Sequence, residues 1–156
     1  QRFLISFVNI ETRFCLRLAM TNAKKVKRAL DFKPILEELQ NLDVPVVVEG
    51  KRDTIALKKI GCNAMIIELN DGTSVLSTVE RISQKFGSSS EFIIMTDWDK
   101  TGNKLAKQLI SYGESCDLIP NDKLRITLSK FTGKEISCVE ELATFVFSLG
   151  HKDHFL

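Results

Sequence analysis

The chain alternates short, uninterrupted apolar runs with longer amphipathic stretches. Four of the apolar runs have the length of strands, and they fall at residues 44–49, 64–69, 92–96 and 117–119. Strands that are apolar at every position are typical of a parallel sheet with both faces covered, because neither face meets water. Right-handed crossovers bring the carboxyl end of every such strand to one edge of the sheet. The pattern therefore predicts an α/β fold, with a parallel sheet of about four strands and helices on both faces.

Helices are predicted around these strands from cap residues and from apolar positions that recur every three or four residues. Thr21 or Asn22 is predicted to cap a basic helix that runs to about Leu30. Pro34 suits the first position of a second helix, which runs to about Leu42. The remaining predicted helices cover residues 53–60, 74–86, 100–112 (ended by Gly113) and 138–149, and residues 123–128 form a short run of alternating character.

Composition and charge change this picture in one respect. A chain of 156 residues that is 44% hydrophobic is large enough for one compact domain with a core. Its charge is uneven, since residues 1–33 hold eight Lys or Arg and two Asp or Glu, whereas the remainder holds fourteen and eighteen. A basic front end beside an acidic body suits a nucleic-acid substrate, and a solvated helix face is the alternative explanation.

The other bulk features indicate a cytoplasmic protein without a membrane segment. The four cysteines are scattered and form no C-x-x-C pair, which is typical of reduced thiols. His151 and His154 are interpreted as part of a polar tail, because no further metal ligands stand beside them. The apolar run at residues 3–8 is much too short to cross a bilayer. Met20 resembles an initiator methionine, so residues 1–19 are predicted to be an extension or leader.

Two carboxylates, Asp97 and Asp99, follow the third apolar run, where the chain turns towards a helix. The carboxyl end of a strand is the usual ligand site of an open α/β sheet. Side chains two positions apart in a strand point the same way, so the pair is predicted to share one Mg²⁺. Gly102 is predicted to let a phosphate approach the backbone near the following helix. The alternative is that Asp99 only caps that helix while Asp97 only ends its strand.

A second polar turn follows the first apolar run and spans residues 49–53. Glu49 comes directly after three valines, so it is expected to end the strand rather than bury its charge. Gly50 permits a tight turn, and Lys51 can offer a cation to an anionic substrate. Asp53 has either a direct role or only the place of an acid that the helix dipole favours. If the two strands are neighbours, three carboxylates and a lysine converge, which is the composition of a magnesium site for phosphate chemistry.

Together the two turns resemble the Toprim domain, the catalytic module of topoisomerases and primases, which has relatives among small nucleases and recombination proteins. The Toprim pattern is a glutamate-glycine after the first strand and D-x-D after the third. Both are present in this order, with Glu49 and Asp97 separated by 48 positions. The resemblance covers roughly residues 44–120 and is greatest to small stand-alone archaeal Toprim proteins and to the bacterial Toprim ribonuclease that matures a small ribosomal RNA.

The resemblance implies a role for each matched residue. Glu49 would be the general acid or base, or would share a metal, and Lys51 would meet the substrate backbone as the second catalytic candidate. Asp97 and Asp99 would hold Mg²⁺, for which Mn²⁺ is the natural substitute. The further candidates for nucleic-acid contacts are Arg52, Lys100 and Lys104, and those for supporting roles are Gly50, Asp53 and Gly102.

The sequence as a whole predicts a division of the chain into four segments. Residues 1–19 would be the extension, residues 20–43 a basic helical segment, residues 44–130 the Toprim domain, and residues 131–156 a C-terminal helix and tail. Topoisomerase and primase activities are not predicted, because Tyr112 closes an amphipathic helix and no polymerase-like partner domain is evident.

Three functions fit these residues. The leading one is a Mg²⁺-dependent nuclease or phosphotransferase that acts on RNA or DNA, with RNA processing favoured. The second is a non-catalytic RNA- or DNA-binding module of a larger nucleic-acid complex, which keeps the pocket to anchor phosphates. The third, a phosphatase of the haloacid-dehalogenase type, is disfavoured because its D-x-D strand normally comes first and Asp122 has no second acid after it.

Overall fold

The computed structural model describes residues 10–150, with side chains described from residue 15, and its sheet has four parallel strands. The strand order is β2-β1-β3-β4, so the first and third strands along the chain lie side by side in the middle. Val47 stands opposite Ile67 on one side and Ile94 on the other. The predicted parallel α/β sheet is therefore confirmed. The strands are β1 (Val46–Val48), β2 (Ile66–Glu68), β3 (Glu91–Ile94) and β4 (Ile119–Asn121).

Helices cover both faces of the sheet, as predicted. In the described part of the chain they are α1 (Ile10–Gln40), α2 (Lys51–Lys59), α3 (Val75–Phe86), α4 (Lys100–Ser115), α5 (Lys123–Thr132) and α6 (Leu142–Ser148), with a 3₁₀ helix at Val139–Glu141. Successive strand residues point to opposite faces, so Val46 and Val48 enter one core while Val47 enters the other. The first core packs α1, α2, α5 and α6 against the sheet, and the second packs α3 and α4.

Helix α1 is a single helix, so the prediction of two helices that meet at Pro34 is wrong. A proline inside a helix removes one backbone hydrogen bond and crowds the carbonyl four residues before it, at a cost of about 3 kcal/mol. The turns around Pro34 bury Phe32, Leu36 and Leu39 almost completely in the first core. We attribute the continuity of α1 to this burial, which offsets the cost of the proline.

The helices of the second half of the chain differ from the prediction in three respects. Residues 123–128 belong to helix α5, whose buried positions Leu124 and Leu128 lie one turn apart. Helix α4 continues through Gly113 to Ser115, because this glycine serves close packing and not helix termination. A Cβ atom at Gly113 would stand 3.1 Å from the ring of Phe92. The C-terminal segment is a 3₁₀ turn followed by α6, rather than one helix from residue 138 to 149.

The topology decides where polar turns can meet. Because β1 and β3 are adjacent and parallel, the turns that follow Val48 and Ile94 lie side by side at one edge of the sheet. Among the described helices, none has the length and apolar character that crossing a bilayer requires.

Phe32 anchors helix α1 to the body of the protein, so we expect Phe32→Ala to destabilise the fold by about 3–5 kcal/mol. Its ring is fully buried, with centroids 5.1 Å from Phe131 and 5.7 Å from Phe145. The matched control is Leu30→Ala on the same helix, where the side chain is 63% exposed and we expect a loss of less than about 0.5 kcal/mol. Urea unfolding measures both, and equal losses would contradict this packing.

Candidate functional site

The turns that follow β1 and β3 meet at a hydrogen bond between Asp97 and Glu49. The backbone N–H of Asp97 donates to Oε1 of Glu49 at 3.0 Å. Glu49 itself is half-buried at the end of β1, as its position after three valines predicted. The structure therefore brings the glutamate of the first turn to the first aspartate of the second.

Asp97 and Asp99, which the strand pattern predicts to point the same way, accept hydrogen bonds from different backbone amides. Strand β3 ends at Ile94, and both aspartates lie beyond the strand alternation on which that prediction rested. Oδ1 of Asp97 accepts a hydrogen bond from the backbone N–H of Val139 at 2.8 Å. Oδ1 of Asp99 accepts one from the backbone N–H of Gly102 at 2.7 Å and caps helix α4. Asp99 thus has the capping role, and one oxygen of each aspartate is already bonded to the backbone.

The carboxylates of this site are close enough for their charges to raise one another's pKa. Burial raises the pKa of Asp97 to about 6 against the hydrogen bond from Val139, and the nearby charges of Glu49, Asp53 and Asp99 add to the increase. Burial also raises the pKa of Glu49, where the Asp97 amide opposes the shift and the charges of Asp53 and Asp99 reinforce it. The edge of the sheet that carries Glu49, Asp53, Asp97 and Asp99 (the acidic rim) therefore favours a proton or a cation over bare negative charge.

Asp53 shapes the turn after β1. Its side chain is only 6% exposed, and Oδ2 accepts a hydrogen bond from the backbone N–H of Gly50 at 3.0 Å. Burial is the main reason that the pKa of Asp53 is raised. The contact supports the interpretation of Asp53 as a helix N-terminal residue, which holds the chain between Glu49 and Lys51 in a tight turn.

Arg125 is the important residue of this region that the sequence analysis missed. Its side chain is 5% exposed, and its Nε donates to the carbonyl of Thr96 at 2.9 Å. The terminal nitrogen Nη2 donates to the carbonyl of Asp97 at 2.5 Å and to Oδ1 of Asn103 at 2.6 Å. No motif marks this arginine, because it stands in helix α5, which the alternating pattern of residues 123–128 concealed.

Gly102 packs tightly against the backbone of Asp97. A Cβ atom at this position would lie 1.8 Å from the carbonyl oxygen of Asp97, so only glycine fits there. The carbonyl of Gly102 also accepts a hydrogen bond from the buried hydroxyl of Thr96 at 2.9 Å. Gly102 therefore allows the loop after β3 to fold back against the first turn of α4.

Trp98 ties the same loop to the C-terminal part of the chain. Its indole Nε1 donates to the carbonyl of Ile136 at 2.8 Å, and its backbone N–H donates to the carbonyl of Ser137 at 3.0 Å. Together with the bond from Val139 to Asp97, these contacts hold the loop that carries Asp97 and Asp99 (the aspartate loop), in addition to the contacts of Arg125.

The predicted cationic residues follow the two turns along the chain and are exposed. Lys51 and Lys100 are exposed first residues of helices α2 and α4, directly after the two turns. Lys104 is exposed one turn further along α4. Arg52 is exposed beside Lys51 and lies 3.7 Å from a carboxylate oxygen of Glu140.

The donor chemistry of the rim suits a hard divalent cation, although the acids are not assembled around one. Among the described side chains, no group of three or more His, Cys, Asp or Glu has an arrangement that could hold an ion. Mg²⁺ needs only one or two carboxylates, since water and substrate phosphates complete its octahedron. The crowded carboxylates of Glu49 and Asp97, with raised pKa values, meet that requirement.

Comparison with known proteins confirms the resemblance to the Toprim domain. The model of the Toprim domain family matches residues 44–131. A UPF0292 protein of Methanosarcina barkeri is 34% identical over 126 residues, which cover 81% of this chain and 85% of that protein. A UPF0292 protein of Thermococcus gammatolerans is 34% identical over 120 residues, covering 77% of this chain and 84% of the relative.

A solved structure of a protein from Aquifex aeolicus is similar in fold. Its TM-score is 0.59 at 23% sequence identity, and the similarity covers 70% of this chain and 95% of that one. At this identity the likeness supports the fold.

Because the Cβ of residue 102 would overlap the Asp97 carbonyl, we expect Gly102→Ala to displace the aspartate loop. Trp98, the single tryptophan, lies in that loop, so its fluorescence reports the change directly as a shift to longer wavelength. The expected loss of stability is about 3 kcal/mol. Gly72→Ala is the control, since that glycine has a positive φ but no atom within 4 Å of an added Cβ. An unchanged emission spectrum of Gly102→Ala would contradict the contact.

We also expect Mg²⁺ to raise the melting temperature more at pH 7.5 than at pH 5. The folded-state pKa of Asp97, about 6, lies above its ordinary value of 3.8, so its stabilising proton is present at low pH and lost as pH rises through 6. A cation can replace that proton only where the carboxylate is ionised. Thermal melts with and without Mg²⁺ measure the difference, and Asp97→Asn should remove it. Equal shifts at both pH values would argue against a cation at Asp97.

Proposed function

The chain belongs to the Toprim domain family, and on that premise we propose that it cleaves phosphodiester bonds of nucleic acid with the help of Mg²⁺. Membership implies a function related to nucleic acids, and Toprim domains generally bind Mg²⁺. The finer assignment, a nuclease or phosphotransferase with RNA as the favoured substrate, is the proposal.

The contact between Glu49 and the backbone of Asp97 is the observation that carries this proposal. It joins the two signature turns of the family within one hydrogen bond, at the edge of the sheet where ligands of open α/β folds bind. The raised pKa of Glu49 suits a group that holds a proton and then releases it, which is the requirement for a general acid or base.

Each residue then has a task that its position supports. Glu49 would exchange a proton with the attacking or leaving oxygen. Asp97 would offer a carboxylate oxygen to Mg²⁺, and Asp99 would contribute its second oxygen while it caps α4. The bound ion would supply a Lewis acid that neutralises charge on the phosphate.

The exposed cations would hold the substrate backbone. Lys51 stands two residues after Glu49, and Lys100 stands directly after Asp99, so both flank the acids. Lys104 extends this charge along the exposed face of α4, and Arg52 extends it along α2. Phosphate contacts of this kind make binding steeply dependent on salt.

A non-catalytic RNA- or DNA-binding module is the second candidate. The observation that favours it is the arrangement of the acids, because one oxygen of Asp97 and one of Asp99 are committed to backbone amides and no described group of three ligands is assembled. This candidate predicts tight, salt-sensitive binding of nucleic acid without turnover.

Cleavage of structured RNA and of single-stranded DNA in the presence of Mg²⁺ tests the proposal. We expect Asp97→Asn and Glu49→Gln each to reduce the cleavage rate by at least about 100-fold, since each removes a charged group from the reacting centre. Asp43→Asn is the matched control, because that acid is exposed ahead of β1, at the other end of the strand. Cleavage by Asp97→Asn at the wild-type rate would place the activity elsewhere, and salt-sensitive binding without cleavage would favour the second candidate.

A further inference from the structure

An open cleft of about 340 Å³ lies between helix α2 and the C-terminal segment, beside the acidic rim. Its volume is at the lower end of the range for small-molecule sites and suits one nucleoside. One wall is the face of α2 that carries Arg52, Ile55 and Lys59, and the other is formed by Glu140, Glu141 and Thr144.

Both walls of this cleft begin at the candidate site. Arg52 comes three residues after Glu49 along the first wall. On the second wall Glu140 directly follows Val139, whose backbone N–H is bonded to Asp97 at 2.8 Å. A polymer bound with one phosphate at the rim would therefore pass its next residue into the cleft.

The α2 wall combines an apolar surface with a cation at each end. Ile55 is 45% exposed, which makes it one of the large apolar side chains that the fold leaves open to solvent. Arg52 and Lys59 lie seven residues apart on the same helix face, which is about 10 Å along the axis. An apolar floor between two cations matches a flat base with phosphates on either side.

The charges of the opposite wall determine which side of the cleft the backbone of a bound strand would follow. Glu140 and Glu141 repel phosphates, so the backbone of a bound strand would follow α2, and their carboxylates can accept hydrogen bonds from base amino groups. The pair formed by Arg52 and Glu140 spans 3.7 Å between exposed side chains, and such pairs contribute little energy. An incoming phosphate can therefore replace Glu140 as the partner of Arg52.

We propose that the cleft between α2 and the 3₁₀ segment is a subsite for one unstacked nucleobase of a single-stranded nucleic acid, seated on Ile55 between Arg52 and Lys59. The proposal rests on the proposed function, since it places the base next to the phosphate at the acidic rim. Bases in a duplex are stacked and paired, so duplexes should occupy the subsite poorly.

The test measures binding in EDTA, where cleavage cannot contribute. Fluorescence anisotropy follows labelled cytidine hexamers of RNA and of DNA, the corresponding DNA duplex, and a fully abasic hexamer that presents phosphates alone. We expect the wild-type protein to bind a single-stranded hexamer with bases about tenfold more tightly than the abasic one. Whichever hexamer binds more tightly, RNA or DNA, identifies the type of nucleic acid that supplies the base.

Ile55→Asp should abolish the preference for bases, whereas Ile126→Asp should retain it. Ile126 is 38% exposed on helix α5, outside the cleft, so the two variants are matched in charge and exposure. A general weakening of phosphate contacts lowers the affinity for hexamers with and without bases alike, so it leaves the ratio of these two affinities unchanged. Ile55→Ser, which adds no charge, should reduce the same ratio and guards against loss of fold in the aspartate variant.

Two outcomes would overturn the inference, and they are separable from failure of the proposed function. Equal affinity of the wild-type protein for hexamers with and without bases would remove the subsite alone. An unchanged ratio in Ile55→Asp would place the base elsewhere on the protein. If no hexamer is bound at all, the nucleic-acid function itself fails, and the subsite with it.

Discussion

A buried guanidinium is the interaction on which the candidate site depends. Arg125 reaches from helix α5 to the carbonyls of Thr96 and Asp97 and to the side chain of Asn103, so one side chain joins the end of β3, the start of α4 and the first core. These are charge-assisted hydrogen bonds in a place that water barely reaches, which makes them stronger than their exposed counterparts. Without this cation, the loop that carries the aspartates would lose its support on one side.

The sequence predicts the fold well because its two main signals, apolar runs and helix caps, depend on residues that are close together in the chain. Uninterrupted apolar runs identify all four strands within a few residues, and Ser74, the first residue of the predicted helix 74–86, caps α3. The errors arise where tertiary packing overrides a local rule. Pro34 lies inside α1 because three buried side chains nearby hold the helix together, and Gly113 lies inside α4 because Phe92 needs the space. Neither contact can be read from neighbours in the chain.

The candidate site is predicted less completely. The chain order of the turns, combined with the rules of parallel sheets, was enough to expect Glu49 near Asp97. The orientation of Asp99 was not predictable, because β3 ends earlier than the apolar run and a helix cap then takes one of its oxygens. Arg125 was invisible for another reason, since a buried arginine and a surface arginine look alike until the carbonyls around them are known.

The Trp98 contacts have a consequence for where this protein can be divided. The family model ends at residue 131, yet Ile136, Ser137 and Val139 supply the backbone groups that hold Trp98 and Asp97 in place. A fragment trimmed to the family boundary would keep every signature residue and lose the partners that orient them. For this chain the segment that the family model matches is therefore shorter than the structural unit, because residues 136–139, beyond the end of that segment, hold the loop that carries the aspartates.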